Sequence, residues 1–447
     1  MRWTVRGRRT GVRVAAALTA GCACALLTAC GSSGNSDDDG SAKKPGPVPV
    51  AKAHARVPVP RGDGSKVADD FNGDGHRDLV LNDLVKRQSH EDDAGIGIVY
   101  GTEGGLRPGA RQLLSPAKQA AATKGRLPAV FDAEESCDLD KDGFTDLVVS
   151  TDPPYDGQGR PPVPLQILFG SPGGLTGKAV KLTVPARARA GNDWPDQPVC
   201  GDFDGDGAND LVLHASESQL TYLRGPFTRK GAPRAAGQPL ATPGNVPTRP
   251  AVDVNRDGYD DLLVREDGDA SPSSVVYGGP NGPARTGFAL PAGADVAFGR
   301  FGRTKAALDA AIGSQGGTSL RYDLTGARAA TVRATLDVPG TVLDAGDFDG
   351  DGFDELVSSG SELKIFRGRT SGLSASTVIT VKPPATGTTR VLAVADFTGD
   401  GLADLAVRTY RGETKDTVAV YPGRKNGLVA DKPQITFSTA EFLTGSG

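Results

Sequence analysis

From residue 65 onward, short apolar runs alternate with strongly polar loops, and the polar loops recur. Each unit opens on a few apolar residues, passes through an Asp-rich loop and resumes with Asp-Leu-Val or a near equivalent. An alternating run follows and ends on an aromatic residue, commonly with Gly: GIGIVYG, LQILFG, LTYLRG, SVVYGG, SLRYD, LKIFRG and VAVYPG. Short alternating runs bounded by Gly and Asp are strand signals, and no stretch keeps apolar residues at helical spacing long enough for an amphipathic helix. The loops read DFNGDGHRD at 70–78, DLDKDGFTD at 138–146, DFDGDGAND at 202–210, DVNRDGYDD at 253–261, DFDGDGFDE at 347–355 and DFTGDGLAD at 396–404. A seventh copy, RFGRTKAAL at 300–308, has lost its acidic residues. First positions are separated by 68, 64, 51, 47, 47 and 49 residues. A strand-type unit with a period near 50 predicts an all-β chain, a seven-bladed β-propeller of about four strands per blade over residues 65–447.

Counting within the loop gives carboxylates, amides or, once, a hydroxyl at positions 1, 3, 5 and 9, with Gly at position 6 for the turn. The candidate ligands are Asp70, Asn72, Asp74 and Asp78; Asp138, Asp140, Asp142 and Asp146; Asp202, Asp204, Asp206 and Asp210. The later loops supply Asp253, Asn255, Asp257 and Asp261; Asp347, Asp349, Asp351 and Glu355; Asp396, Thr398, Asp400 and Asp404. Oxygen ligands at this density suit Ca²⁺, and no His or Cys converges to suit a softer metal. An EF-hand needs a Glu at position 12, where this chain has Leu81, Val149, Leu213, Val264, Ser358 and Val407. The expectation is therefore a strand–loop–strand calcium site closed at position 9, in about six copies. Packing three or four carboxylates into one turn without a cation would be repulsive. No metal is expected at 300–308, where Arg300, Gly302 and Lys305 replace ligands and the turn Gly.

The N-terminus changes the picture of where this domain works. MRWTVRGRRTGVRV is basic, AAALTAGCACALLTA is apolar and small, and Leu27-Thr28-Ala29-Cys30 follows. That order reads as a signal peptide over residues 1–29. Its LTAC ending resembles a bacterial lipobox, which implies a lipid on Cys30 and a mature protein held to the outer face of the cell membrane. Residues 30–64 lack apolar periodicity and read as a lipidated Cys followed by a disordered, partly Pro-stiffened tether. The formal charge is −4; losing five Arg and no acid with residues 1–29 leaves 45 basic against 54 acidic residues, or −9. No nucleic-acid partner is expected of such a chain. Only Cys137 and Cys200 remain in the folded part, as one disulfide or two buried thiols.

The unit DFDGDGxxDLxV, with its aromatic-Gly strand and Gly-Leu turn, resembles the FG-GAP and VCBS repeats of the integrin α-subunit head. The resemblance covers residues 65 to about 440. It implies a seven-bladed propeller with calcium-binding hairpin loops on one face and ligands met by the other.

Repeats one and two are longer than the rest, with extra sequence at 82–95, 115–128, 151–164 and 186–198. In up-and-down blades these connections should share the face opposite the Asp loops, where insertions form binding surfaces. Tyr155 and Arg160 lie in one insertion; Arg187, Arg189 and Trp194 lie in another. They form a candidate ligand surface, against the alternative that Trp194 packs over a blade edge. The favoured reading is a surface module that binds an extracellular glycan or protein. The alternative is a polysaccharide lyase or hydrolase on a calcium-stabilised propeller, although no catalytic constellation stands out at a recognisable spacing.

Overall fold

The computed structural model describes residues 53–89, 94–191, 194–216, 219–266, 271–325 and 332–444. The expected signal peptide and Cys30 lie outside the described residues. Seven antiparallel sheets follow one another along the chain, at 79–114, 131–181, 199–241, 246–290, 295–336, 342–381 and 388–437, here called blades 1 to 7. Strands lie in chain order across each blade. The fourth strand of blade 3 is split into Ala235–Ala236 and Leu240–Ala241, both paired with Gln219–Arg224.

Seven apolar clusters hold the ring, each shared by two consecutive blades. The cluster that joins Val418, Val420 and Phe437 of blade 7 to Leu79, Leu81 and Val99 of blade 1 closes it. Because each blade is covered on both faces, the second strands are apolar almost throughout: Asp261–Arg265 is buried at every residue. Position 2 of the loop plugs the gap between blades. Phe71, Phe203, Phe301 and Phe348 are fully buried there, and truncating one to Ala would cost about 3–5 kcal/mol.

The first strands of neighbouring blades touch around the centre. Cys137 ends the first strand of blade 2, Phe131–Cys137, and is bonded to Cys200 in the first strand of blade 3, Val199–Gly201 (S–S 2.00 Å, Cα–Cα 6.6 Å). A cross-link spanning 63 residues is worth about 4 kcal/mol in the chain-entropy account.

Blade 1 departs from the expected four strands, with three among the described residues. Residues 65–69 bend where a first strand would run, and one ladder bond survives, Asp78 N–H to Asp69 O at 2.9 Å. Side chains complete the seam. The buried Arg408 of blade 7 donates to Asn82 O (2.7 Å) and Asp83 O (2.6 Å), and its Nε is held by Asp416 (2.7 Å). The 3₁₀ turn Thr439–Phe442, with its Ser438–Glu441 capping box, packs Phe442 into the same seam.

The end of the expected tether also needs correcting. Residues 53–64 lie on the propeller: His54 N–H donates to Glu441 (2.9 Å), Val57 N–H to Gly109 O (3.0 Å) and Gly62 N–H to Asn72 O (3.1 Å). Val57 and Val59 pack against the cluster between blades 1 and 2. A Cβ on Gly62 would sit 1.8 Å from Gly73 O, so only glycine allows this approach. The Val-Pro-Val-Pro stretch is too short to show a strand or helix period, and it docks as an extended segment through backbone bonds and its two valines. Among the described residues, no helix is long and apolar enough to cross a membrane.

Candidate metal centres and the opposite face

In blades 2, 3, 4, 6 and 7 the Asp loop joins the first and second strands; in blade 1 it leads into Leu79–Leu81, which takes the second strand's place, so all of them emerge at the same end of the strands. Position 1 organises the turn. Asp347 Oδ1 accepts the N–H groups of Gly350 (2.7 Å) and Asp351 (3.1 Å), and Oδ2 accepts Gly352 (2.9 Å). Asp70 and Asp396 repeat the same three bonds. Position 5 accepts the N–H of position 7 at 2.8–3.2 Å in all six acidic loops. The position-6 glycines hold φ between 77° and 91°, a left-handed geometry that side chains resist.

These bonds bring the predicted oxygens together. Asp138, Asp140 and Asp146, then Asp202, Asp204 and Asp206, then Asp347, Asp349 and Asp351 each place three carboxylates within 4.8 Å of one another. Position 3 carries the clearest sign of a missing partner: Asn72 Oδ1 and Asp140 Oδ1 are buried without a hydrogen bond. An all-oxygen donor set with unsatisfied buried acceptors fits a hard divalent cation. These Asp clusters are able to hold metal ions and are consistent with calcium.

Position 9 does a job that spacing alone concealed. Asp78, Asp146, Asp261, Glu355 and Asp404 are 0–2 % exposed. One oxygen of each accepts the N–H of position 2, the other the N–H at the end of the third strand, at 2.8–3.2 Å. Asp210 makes the second bond to Gly225 N–H and replaces the first with the Tyr222 hydroxyl (both 2.7 Å). Burial pushes Asp78, Asp146 and Glu355 up to about 8 and Asp261 up to about 7, and the carboxylates of the same loop push the same way. A divalent cation would oppose both effects.

In blade 5 the loop is one residue longer than its sequence suggests. Gly299 pairs with Asp309, as Gly346 pairs with Glu355 in blade 6. Asp309 therefore holds the closing place, which the count of nine had given to Leu308. Its two oxygens accept Gly302 N–H (3.0 Å) and Asp323 N–H (2.8 Å).

Neighbouring loops are stitched together. Position 8 of one loop donates its N–H to the position-1 carbonyl of the loop before: Thr145 to Asp70 (3.0 Å), Asp260 to Asp202 (3.0 Å), Asp354 to Arg300 (3.0 Å) and Ala403 to Asp347 (2.9 Å). Between blades 7 and 1 a cavity of about 200 Å³ lined by His76, Arg77 and Asp396 lies at the seam.

Arginines that the spacing did not single out reach three loops. Arg229 Nε lies 2.7 Å from Asp140, Arg224 Nε 2.6 Å from Asp204 and Arg367 Nη1 3.1 Å from Asp349. Arg229 also pairs with Asp142, and Arg234 with Asp206.

On the other face lie the long connections of blades 1 and 2. Tyr155 and Trp194 meet edge to face, 5.4 Å between centroids. Arg160 donates to Ala186 O (3.3 Å) and Arg189 to Pro161 O (2.7 Å), so the two insertions clasp each other, and Arg187 ties the second to Ala236 O of blade 3 (2.7 Å). None of the three pairs with a carboxylate among the described residues. Tyr155 is exposed, and Trp194 is half-buried and meets its ring. Burial, and then the charge of Arg160, lowers the proton affinity of Arg189.

Geometry and repeat thus define a seven-bladed β-propeller built on acidic strand–loop–strand units. Residues 347–407, from the Asp loop of blade 6 through that of blade 7, match the FG-GAP-like repeat family. The chain is thus a seven-bladed β-propeller that carries an FG-GAP-like repeat over residues 347–407. No curated protein matches it. Similar solved structures include BBS1N in complex with ARL6DN, soaked with lead (14 % identity, TM-score 0.39, covering 67 % of this chain and 81 % of that one). The mercury-soaked form of the same complex has 15 % identity and TM-score 0.39, covering 67 % and 79 %. The V. cholerae biofilm matrix protein Bap1 has 12 % identity and TM-score 0.38, covering 85 % and 91 %.

Proposed function

We propose that this protein is an exported recognition module, lipid-anchored at Cys30, whose loops bind about six Ca²⁺ and whose opposite face binds an extracellular acidic glycan. Positions 1, 3 and 5 of each acidic loop would supply most of the calcium ligands. Position 9 would add one only where an oxygen is spared by the backbone. Calcium would neutralise the crowded carboxylates and stiffen the end of each blade.

The observation that carries the ligand reading is the clasp of Tyr155, Trp194, Arg160, Arg187 and Arg189. Aromatic rings offer a platform to a sugar ring, and guanidinium groups free of carboxylate partners suit carboxylate or sulfate substituents. The purified protein, tested in calcium against acidic and neutral polysaccharides, should retain the acidic ones. Trp194→Ala and Arg160→Gln should each weaken retention about tenfold without lowering the melting temperature. Equal retention of neutral and acidic chains would refute the charge argument, and retention of proteins alone would make the ligand a polypeptide. Cys30→Ala should release the protein from the membrane fraction.

A further inference from the structure

We infer that Arg224, Arg229 and Arg367 set the calcium affinity of three loops, as fixed counter-charges on the position-3 carboxylate. The inference rests on the calcium reading above and adds a division of the loops into two kinds.

The division follows one residue. Where position 3 is Asp140, Asp204 or Asp349, an arginine holds its Oδ2 at 2.6–3.1 Å. Where position 3 is Asn72, Asn255 or Thr398, no Lys or Arg pairs with a loop carboxylate among the described residues. Charge is thereby nearly levelled. At positions 1, 3, 5 and 9 the first kind has four carboxylates and at least one paired arginine; the second has three carboxylates and no paired arginine among the described residues. Only the loop of blade 3, with Arg234 as a second cation, goes further.

The cations arrive by two routes. Arg224 and Arg367 occupy the same place in the repeat, immediately before Gly225 and Gly368, whose N–H groups bond to position 9. In blade 2 that place is Phe169. There Arg229 comes from the next blade, crosses the Phe169 ring at 5.2 Å and meets the same oxygen of position 3. Two routes to one oxygen, always beside an aspartate, tie the arginine to that carboxylate rather than to a shared backbone path.

The arginine leaves the inner oxygen to the loop. Asp140 Oδ1 is buried without a hydrogen bond, on a side chain only 8 % exposed. Asp204 Oδ1 and Asp349 Oδ1 accept only weak bonds of 3.3 Å from position 5 N–H. A cation can therefore bind with the guanidinium in place, but against its charge. Without a cation, the same guanidinium relieves the carboxylate repulsion and keeps the loop formed. Ligand charge count is a principal control of calcium affinity in such loops.

The test is calorimetric titration of the full-length protein with calcium alone, after chelation and dialysis, in the wild type and in Arg229→Gln, Arg224→Gln and Arg367→Gln. Each variant should tighten one site by about tenfold or more and lower the melting temperature in chelator. Arg229→Gln combined with Asp138→Asn should lose the tightened site. Asn255→Asp, which adds a fourth carboxylate without an arginine, should tighten its site similarly. Calcium binding that is unchanged or weakened in all three arginine variants would overturn the inference and leave the calcium reading intact. A wild type that binds no calcium would overturn both.

Discussion

Blades 5 and 6 stand side by side, and their loops have diverged as far as any two in the ring. Blade 6 reads DFDGDGFDE; blade 5 reads RFGRTKAALD, with no acid at positions 1, 3 or 5. Both nevertheless bury a phenylalanine at position 2, Phe301 and Phe348. Both close on a buried carboxylate that accepts two main-chain N–H groups, Asp309 at 2.8 and 3.0 Å and Glu355 at 3.0 and 3.2 Å. Blade 5 even keeps its stitch to the next loop: Arg300 N–H donates to Asp354 Oδ2 (2.7 Å), and Asp354 N–H returns to Arg300 O. Lys305, in the place of the turn glycine, reaches across to the Asp351 carbonyl of blade 6 and lies over Phe353. The comparison separates two jobs that the intact loop performs together. Positions 2 and 9 join strands; positions 1, 3 and 5 are the ones that would hold a cation.

The largest effect that bears on this separation is removal of calcium from every acidic loop at once. A ligand at 100 times its dissociation constant stabilises the native state by about 2.7 kcal/mol per site. Chelation should therefore lower the melting temperature markedly, and calcium but not Mg²⁺ should restore it. A melting temperature indifferent to chelator would mean that blade 6 is no more a metal loop than blade 5.

Next come the closing carboxylates. Glu355→Gln and Asp309→Asn each turn an acceptor of two N–H groups into one that offers a single oxygen. Leaving a buried donor unmet costs about 1–3 kcal/mol. At a pH above the raised values of both groups, about 8 for Glu355 and about 6 for Asp309, both variants should lose about 1–3 kcal/mol in denaturant unfolding, in calcium and in chelator alike. If Glu355→Gln is destabilising only in calcium, position 9 belongs to the metal after all.

Asp347→Asn isolates the other job. The amide keeps Oδ1 for Gly350 and Asp351, gives up the Gly352 N–H and removes a charge from the metal site. It should cost about 1 kcal/mol in chelator, from the lost bond, and about 2 kcal/mol more in calcium. Arg300→Ala, at the same place in blade 5, should be insensitive to calcium.

Much of this was legible in the sequence because it is local. A loop that organises its own turn must carry its oxygens at fixed spacing, and seven copies of a strand-type unit require a ring. Three features escaped because they are not local. Asp309 falls one residue beyond the expected register, and only strand pairing shows that it is the closing residue. Residues 53–64 dock through backbone bonds and two valines, Val57 and Val59, too short a run to show an apolar period. Arg229 is 89 residues from Asp140, and no spacing within a repeat links them. The candidate ligand residues came together as the alternation of connections required, yet their clasp depends on side-chain bonds to carbonyls, which spacing cannot show.

The smallest expected effect, counted per pH unit, concerns what blades 5 and 6 share with blade 2 away from the loops. On their first strands Asp295 accepts Leu343 N–H (2.8 Å) and Asp344 accepts Val394 N–H (2.7 Å), each from the next blade. Glu135 in blade 2 faces Arg249 (3.7 Å), Asp69 and Cys200 N–H. Burial raises all three, Glu135 up to about 7 and Asp344 up to about 6, against ordinary values of 4.5 and 3.8. A raised carboxylate binds its proton more tightly folded than unfolded. Its contribution to stability is therefore fully present below the unfolded value and is lost as pH rises through the folded one. For Glu135 that window runs from about 4.5 to 7, with a slope of about 1 kcal/mol per pH unit at most. Glu135→Gln should remove this slope, measured as the difference from wild type in denaturant unfolding at pH 4.5 to 7.5. The difference should be the same with and without calcium, because Glu135 belongs to the ring and not to a metal loop. A slope that vanishes on adding calcium would couple the centre of the ring to its acidic face, and the two jobs would no longer be separable.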